Sequence, residues 1–269
     1  MNRVVALLLF GVGCGPAVSG QGSGDASSGM PDVASSSGGS TSSGSSGAAA
    51  SSSSSSGAES SSTGDVLDGL GCGVTPTCTE QIVEGNVGVS SLEDLEALAG
   101  VADIAGDLQI ASSDLVCLDA LACLRRVAGE IRILENPDLR STAGLSGVED
   151  LGYDAALGSG GRGLVVAENA SLEALEGFDG LVSVQHGLLV WDNPSLQRIS
   201  GLTSIRGTPL LSITNNPALE SLEGLHGLVE LYDCNVNRNP SLCISEVFEV
   251  CGDIDPAPEG VTNGNDDGC

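Results

Sequence analysis

Residues Leu188–Leu202, LLVWDNPSLQRISGL, contain the unit that decides the fold, because the chain repeats it. The unit has an Asn-x-x-Leu step in its middle. Two apolar residues at alternate positions precede that step, and a Gly followed by Leu or Phe comes after it. The Asn recurs at steps of 33, 24, 23 and 23 residues, at Asn136, Asn169, Asn193, Asn216 and Asn239. A fixed period of this size is the signature of an architecture in which each repeat stacks on the next.

Each repeat carries the pattern of a short strand followed by turns. The apolar residues before the Asn alternate, as is typical of a strand buried on one face; they are Ile131 and Ile133, Leu164 and Val166, Leu188 and Val190, and Leu211 and Ile213. One repeat cannot bury its own apolar edge, so stacked turns with parallel strands about 4.8 Å apart are expected. Gly and Pro leave no helix-compatible stretch of about ten residues in a repeat, which disfavours an all-helical solenoid.

Two weaker copies precede the five clear ones. One is marked by Leu108 and Ile110, and an earlier one by Leu92, Leu95 and Leu98. The sequence therefore predicts a mainly β fold, a parallel β-helix or leucine-rich solenoid of about six to seven coils. We expect each repeated Asn to point inward, where its amide can bond turn backbone and neighbouring coils, so that its role is structural.

The composition excludes some partners. The chain has 269 residues and a formal net charge of −27, with nine arginines and no lysine. Affinity for nucleic acid comes from clustered Lys and Arg that displace counterions, so nucleic acid is not an expected partner. The aromatic content of 2% predicts an aliphatic core, and no cofactor or metal ion is expected. The two histidines, His186 and His226, are expected to be turn or surface residues.

The N-terminus has the pattern of an export signal. Residues 1–13 combine a short polar start with the apolar run Val4–Phe10, which is too short to span a bilayer. The sequence FGVGC, ending at Cys14, resembles a bacterial lipobox, although Gly11 stands where that motif usually has Leu. The resemblance implies that Cys14 is lipidated and anchors the protein in the cell outer membrane. The alternative is cleavage near Ser19 and simple secretion.

A low-complexity segment follows in residues 14–66. Between Ser35 and Ser56, 14 of the 22 residues are Ser. Such a tract cannot bury apolar surface, and it is expected to be a disordered tether. A Gly/Ser chain of roughly 50 residues spans about 40 Å on average. The expected domain, residues 67–269, would therefore stand away from its anchor.

Eight cysteines remain besides Cys14, and an even number in an exported chain suggests disulfides. None has the Cys-x-x-Cys spacing that is common in metal sites. Short loops are the cheapest to close, which favours local pairs in the N-terminal half and leaves four cysteines to tie the C-terminus. The expected pairs are Cys72 with Cys78, Cys117 with Cys123, Cys243 with Cys269, and Cys234 with Cys251. Val247, Phe248 and Val250 are expected to seal the last coil.

The repeat also carries a family resemblance. The frame G-x-L-x-I-x-x-N-P-x-L-x-x-L-x-G-L-x-x-L, over about residues 72–251, resembles the receptor L-domain of insulin and epidermal growth factor receptors and of many bacterial surface proteins. The ending from Asn239 to Cys269 is similar to the close of secreted bacterial proteins of this kind. The resemblance implies a right-handed β-helix with a generic binding role. No cysteine-rich module, transmembrane helix or kinase follows, so the receptors' signalling role is not expected.

Side chains that alternate with the inward pairs would face outward on the main sheet. Leu134, Val165, Leu189 and Trp191 would then form a contiguous apolar patch, and exposed apolar clusters with an aromatic anchor often mark interfaces. The alternative is that the extra segment of the 33-residue repeat, Gly152–Gly163, folds back over this face. We expect that segment to be a surface loop, because its glycines lack the Lys of a phosphate cradle.

A second outward column precedes the repeated asparagines. Glu135, Glu168 and Asp192 would lie on adjacent coils. Stacked carboxylates repel one another, so the column is either solvated, as we expect, or neutralised by Ca²⁺ or a basic partner.

These features favour a binding module over an enzyme. A polysaccharide hydrolase needs two carboxylates across a cleft, and a lyase needs a Lys or Arg beside an ion site. The sequence also shows no Ser-His-Asp or Cys-His set that would indicate a nucleophilic enzyme. We therefore expect an exported surface lipoprotein that binds an unidentified protein or glycan, with no catalytic residues and with membrane contact through its lipid alone. A polysaccharide-active β-helix enzyme and a purely structural envelope protein are the alternatives.

Overall fold

The computed structural model describes residues 71–152, 163–252 and 263–269. Over these ranges the chain is mainly β, and parallel strands stack into a β-solenoid of about six turns with few helices. This confirms the fold class predicted from the repeat. The predicted signal peptide, Cys14 and the tether lie outside the described residues.

The strands recur once or twice in each coil. In chain order they are β1 (Gln81–Val83), β2 (Val87–Val89), β3 (Val101–Ile104), β4 (Leu108–Ala111), β5 (Arg126–Val127), β6 (Ile131–Leu134), β7 (Asp150–Leu151), β8 (Leu164–Ala167), β9 (Ala174–Leu175), β10 (Leu188–Trp191), β11 (Arg198–Ile199), β12 (Gly207–Thr214) and β13 (Glu230–Asn237). The main sheet has seven of these strands in the order β13-β12-β10-β8-β6-β4-β2. A second sheet has the order β1-β3-β5-β7, and β11 pairs with β9.

Short helical segments complete the coils. The α-helices are α1 (Leu92–Ala97) and α2 (Ile244–Cys251), and one-turn 3₁₀ helices cover Asp119–Leu121, Ala143–Leu145 and Glu223–Leu225. Ser91 caps α1 by accepting a hydrogen bond from the Asp94 N–H on its hydroxyl. The Ser90 backbone N–H donates in turn to the Asp94 carboxylate and holds its pKa below the usual value.

The alternating apolar residues of the main sheet form the core. Strand register places equivalent residues side by side, so that Leu188 lies between Leu164 and Leu211, and Val190 between Val166 and Ile213. All six side chains are fully buried. Each buried aliphatic side chain of this size contributes about 1.5–3 kcal/mol. The stacked columns therefore supply the bulk of the stabilising free energy, as the aliphatic composition predicts.

The repeated asparagines form a buried ladder along the solenoid. The members of this asparagine ladder are each 0% exposed: Asn136, Asn169, Asn193, Asn216 and Asn239. The Asn193 side-chain oxygen accepts hydrogen bonds from the backbone N–H and the amide of Asn169, both at 3.1 Å. The Asn193 amide donates to the carbonyls of Val166 and Trp191 and to Oδ1 of Asn216. The predicted structural role of these residues is confirmed.

The ladder continues beyond the repeated motif at both ends. On the N-terminal side, Ser113 donates from its backbone N–H and its hydroxyl to Oδ1 of Asn136. On the C-terminal side, Asn265 accepts from the backbone N–H and amide of Asn239 and donates to the Val236 carbonyl. The segment 263–269 thus acts as a final partial coil.

The disulfides of the N-terminal half differ from the expected local pairs. Cys72 is bonded to Cys117 and Cys78 to Cys123, each across 45 residues. The prediction was wrong because it considered only loop length. The segment that starts at Gly71 runs along the stacked coils, as the hydrogen bonds from Asp119 N–H to the Gly71 carbonyl and from Thr79 N–H to the Gly100 carbonyl show. Each cysteine of that segment therefore meets a partner on a coil beside it.

The C-terminal end is closed by a helix and two disulfides. Cys234 is bonded to Cys251 and Cys243 to Cys269, which are the expected pairs. Val247 and Val250 of α2 are buried against the last coil, as predicted. Phe248 is instead 59% exposed, because the helical period places residues 247, 250 and 251 on one face and residue 248 on another.

Replacing one ladder residue tests the role of the ladder. We expect Asn193→Ala to lower the free energy of unfolding by about 3 kcal/mol, because the Asn169 donors and the Val166 and Trp191 carbonyls lose their partner in a buried site. Urea unfolding followed by circular dichroism measures the change. Gln197→Ala, in the same coil but exposed, should change it by less than about 0.5 kcal/mol. An equal effect of the two substitutions would contradict the assignment.

Candidate ligand-binding surface

The outer face of the main sheet carries two rows of side chains. Because strand residues alternate between faces, the residues between and after the buried pairs point away from the core. Register aligns them into one row of Gln109, Arg132, Val165, Leu189, Ser212 and Asn235, and another of Ala111, Leu134, Ala167, Trp191, Thr214 and Asn237. The structure therefore places the four predicted patch residues on three adjacent strands, β6, β8 and β10.

The exposure of the patch differs from the prediction at one position. Leu134, Leu189 and Trp191 are half-buried, but Val165 is only 2% exposed. Val165 lies in register between Arg132 and Leu189, so its short side chain has longer neighbours on both sides. The accessible apolar surface is thus smaller than expected. We call Leu134, Leu189 and Trp191 the Trp191 patch.

The predicted insert begins and ends beside this patch in the chain. Residues 153–162 lie outside the described residues, so its expected roles as surface loop or cover stay predictions. Its ends are anchored: the Gly152 N–H donates to the Val127 carbonyl, and the Gly163 carbonyl accepts from the Ile131 N–H. Both glycines have positive φ, of 73° and 78°, a conformation that other residues rarely adopt. On the two sides of the insert, β7 is paired with β5, and β8 with β6 and β10.

The charge nearest to the patch within its row is paired. Arg132 forms a salt bridge with Glu130, whose side chain is only 2% exposed. A buried carboxylate requires such a partner, so the guanidinium is held beside Glu130 and its charge is compensated. Beyond Arg132, the next two residues of this row toward β10 are Val165 and Leu189, and both are apolar. An apolar centre with a polar edge is the arrangement found in binding interfaces.

The acidic column occupies strained backbone positions. The residue before Ser113 and the residue before each of the five ladder asparagines have a φ of 52–58°, in the left-handed region; they are Ser112, Glu135, Glu168, Asp192, Asn215 and Arg238. That conformation is uncommon for residues other than glycine and turns the chain so that the next residue points inward. The side chains of the column therefore line the outside of the turn beside the Trp191 patch.

Polar neighbours flank the carboxylates of this column. The Ser112 hydroxyl donates to Glu135, 3.4 Å from its Oε2, and the Asn215 amide donates to Asp192. Among the described residues, Glu135, Glu168 and Asp192 are not in the group whose ligand atoms lie close enough to share one metal ion. The column forms a polar border for the patch, and its solvation stays a prediction.

One cluster of side chains that could bind a metal ion was not predicted from the sequence. His226, expected to be a turn or surface residue, is an exposed turn residue and lies beside Glu246 and Glu249 of α2. A signal for this was present, because His226 and Glu249 are 23 residues apart, which is one repeat. Residues one period apart lie on neighbouring coils, so the repeat predicts the contact. His186, the other histidine, is exposed.

In the part of the chain that the structure describes, no helix is both long and apolar enough to cross a bilayer.

Comparison with known proteins identifies no relative of this chain. No protein-family model matches the chain, and neither the curated proteins nor the solved structures contain a significant match. The similarity to the receptor L-domain therefore depends on the repeat itself, and its functional implications are proposals.

Proposed function

We propose that this protein is an exported surface protein that uses its β-solenoid to recognise a protein or a glycan. The observation that carries the proposal is the Trp191 patch, which places the sole tryptophan of the chain, half-buried, beside two leucines on the outer face of a seven-stranded sheet. Tryptophan supplies a large contact area at low entropic cost and is enriched among residues that dominate binding energy.

The sheet makes this patch a rigid platform. β8, β10 and β12 pair residue for residue, and the Trp191 carbonyl accepts a hydrogen bond from the buried Asn193 amide. A side chain on such a backbone loses little freedom when a ligand binds, which favours affinity. Small neighbours, Ala167 and Thr214, lie in register on either side of Trp191 and leave the indole accessible from the adjacent coils.

The proposal includes presentation from a membrane. Residues 1–13 would direct export, Cys14 would carry a lipid, and residues 14–66 would act as a spacer of about 40 Å. The Trp191 patch extends to the fourth strand beyond β2 in the main sheet, about 19 Å along the solenoid at the usual strand spacing. A spacer of that length would separate the lipid anchor from the domain that carries the patch, so that a large ligand can reach it.

Substitution of the patch tests recognition. We expect the full chain to bind members of an array of purified polysaccharides and extracellular proteins, and Trp191→Ser to weaken that binding by about tenfold or more, because the indole is the anchor. Intrinsic fluorescence gives an independent readout, since Trp191 is the sole tryptophan.

Gln109→Ala provides the matched control. Gln109 is exposed in the same row as Leu189 but three strands away, so binding should be unchanged. Retained binding by Trp191→Ser would place recognition elsewhere. A chain that binds nothing on the array, but whose deletion weakens the envelope of its host, would favour the structural alternative. Release of sugars from the array would favour the enzyme.

Intact mass tests the anchor. In a bacterial host, the membrane fraction should contain a chain that begins at Cys14 and carries a diacylglyceryl increment, and Cys14→Ser should lose both the increment and the membrane association. An unmodified chain that begins near Gly20 would instead show a secreted protein.

A further inference from the structure

The C-terminal cap holds a cluster of three metal-ligating side chains from two elements. His226 follows the 3₁₀ helix Glu223–Leu225, and Glu246 and Glu249 are three residues apart on α2, on the same face of that helix. The His226 Nε2 lies 3.4 Å from the Glu246 Oε2 and 3.6 Å from the Glu249 Oε2. We propose that His226, Glu246 and Glu249 bind a divalent transition-metal ion of the Zn²⁺ type, which fastens the cap helix to the preceding coil.

The distances between the donor atoms fit this ion. Zn²⁺ binds His nitrogen and carboxylate oxygen at about 2.0–2.2 Å in a tetrahedral arrangement, so neighbouring donor atoms of one ion are roughly 3.4 Å apart. The two His226 distances have this value within a few tenths of an ångström. All three ligand atoms also lie within 4.8 Å of one another. The side chains therefore need little rearrangement to close on an ion.

One ligand is already oriented by the backbone. The Glu246 Oε2 accepts a hydrogen bond of 3.0 Å from the Leu222 N–H. Such outer contacts hold a ligand in place and raise metal affinity. The helix that carries Glu246 and Glu249 is fixed as well, because Cys243 precedes it, Cys251 ends it, and both are disulfide-bonded. The site is thus largely preformed, and binding costs little conformational entropy.

The surroundings favour a cation and leave one side open. The side chains of His226, Glu246 and Glu249 are 38%, 26% and 63% exposed, so an ion can enter and a water can complete its coordination. The net charge of −27 attracts cations to the whole chain. Arg206 lies beside the turn that contains His226, and its guanidinium donates to the carbonyls of Ile205 and Gly227.

The donor set selects the type of ion. One imidazole with two carboxylates suits Zn²⁺ and its neighbours in the transition series, whereas Ca²⁺ takes six to eight oxygen ligands. The bound ion would have a structural role and not a catalytic one. The ion would link the loop at residue 226 to α2, adding a third fastening to the two disulfides of the cap.

Calorimetric titration with ZnCl₂ tests the site. The protein is the full chain without a histidine tag, with its disulfides formed, stripped of metal by a chelator, and with Cys14→Ser in every sample because a free thiol binds Zn²⁺. We expect one ion per chain, and a loss of affinity of more than about tenfold in both His226→Ala and Glu249→Gln. A second readout is the pair of imidazole NMR signals, of which one should shift on addition of Zn²⁺.

Matched variants separate this site from non-specific binding. His186→Ala removes the other histidine, and Glu220→Gln removes an exposed carboxylate outside the cluster; both should bind Zn²⁺ as the parent does. Circular dichroism verifies that each variant is folded. Absence of saturable binding to the parent would overturn the proposal, as would equal loss in His186→Ala and His226→Ala. Neither result would bear on recognition at the Trp191 patch.

Discussion

A buried primary amide must find partners for its oxygen and for both of its N–H groups, and this requirement governs the whole solenoid. An interior ladder residue such as Asn193 meets it because the coils before and after place their own Asn in line, and Ser113 takes that place before Asn136. The aliphatic columns supply most of the stabilising free energy, but Leu and Ile side chains tolerate a shifted neighbour. Hydrogen bonds between amides are directional, so the ladder selects one register among those that the aliphatic core allows.

The outer surface follows from the same requirement. Each inward Asn is preceded by a residue with a positive φ, and the register of the strands aligns their outward side chains into straight rows. The Trp191 patch and the acidic column beside it both result from the backbone geometry that each repeat shares. The residues at the strained positions are polar and lie at the surface, so the chain can vary them without altering the core. The proposed recognition surface and the core thus use different columns of the same repeat.

The spacing of residues in the sequence was enough to predict the features that recur in each coil, but not the features that occur once. The strands, the inward Asn and the apolar alternation all recur at a fixed step, so any one coil predicts the others. Asn265 lies outside the period, and only the folded tail shows that it completes the ladder. Cys72 and Cys78 are close in sequence, but loop length says nothing about a segment that runs across the coils. Val165 follows the outward pattern, yet its burial depends on the size of its neighbours. His226 and Glu249 are one period apart, a relation that appears only when the repeat is applied to side chains outside the motif.

The tail that supplies Asn265 makes the length of the solenoid adjustable. Each ladder Asn bonds to the coils on either side of it, and even the longer repeat between Asn136 and Asn169 keeps these amide contacts. The last Asn needs an acceptor, and the tail provides it whatever the number of coils before it. Duplication or deletion of one whole repeat would therefore leave both ends of the ladder closed. A lineage could in this way change the length of the solenoid and the width of the proposed binding face without redesigning either end.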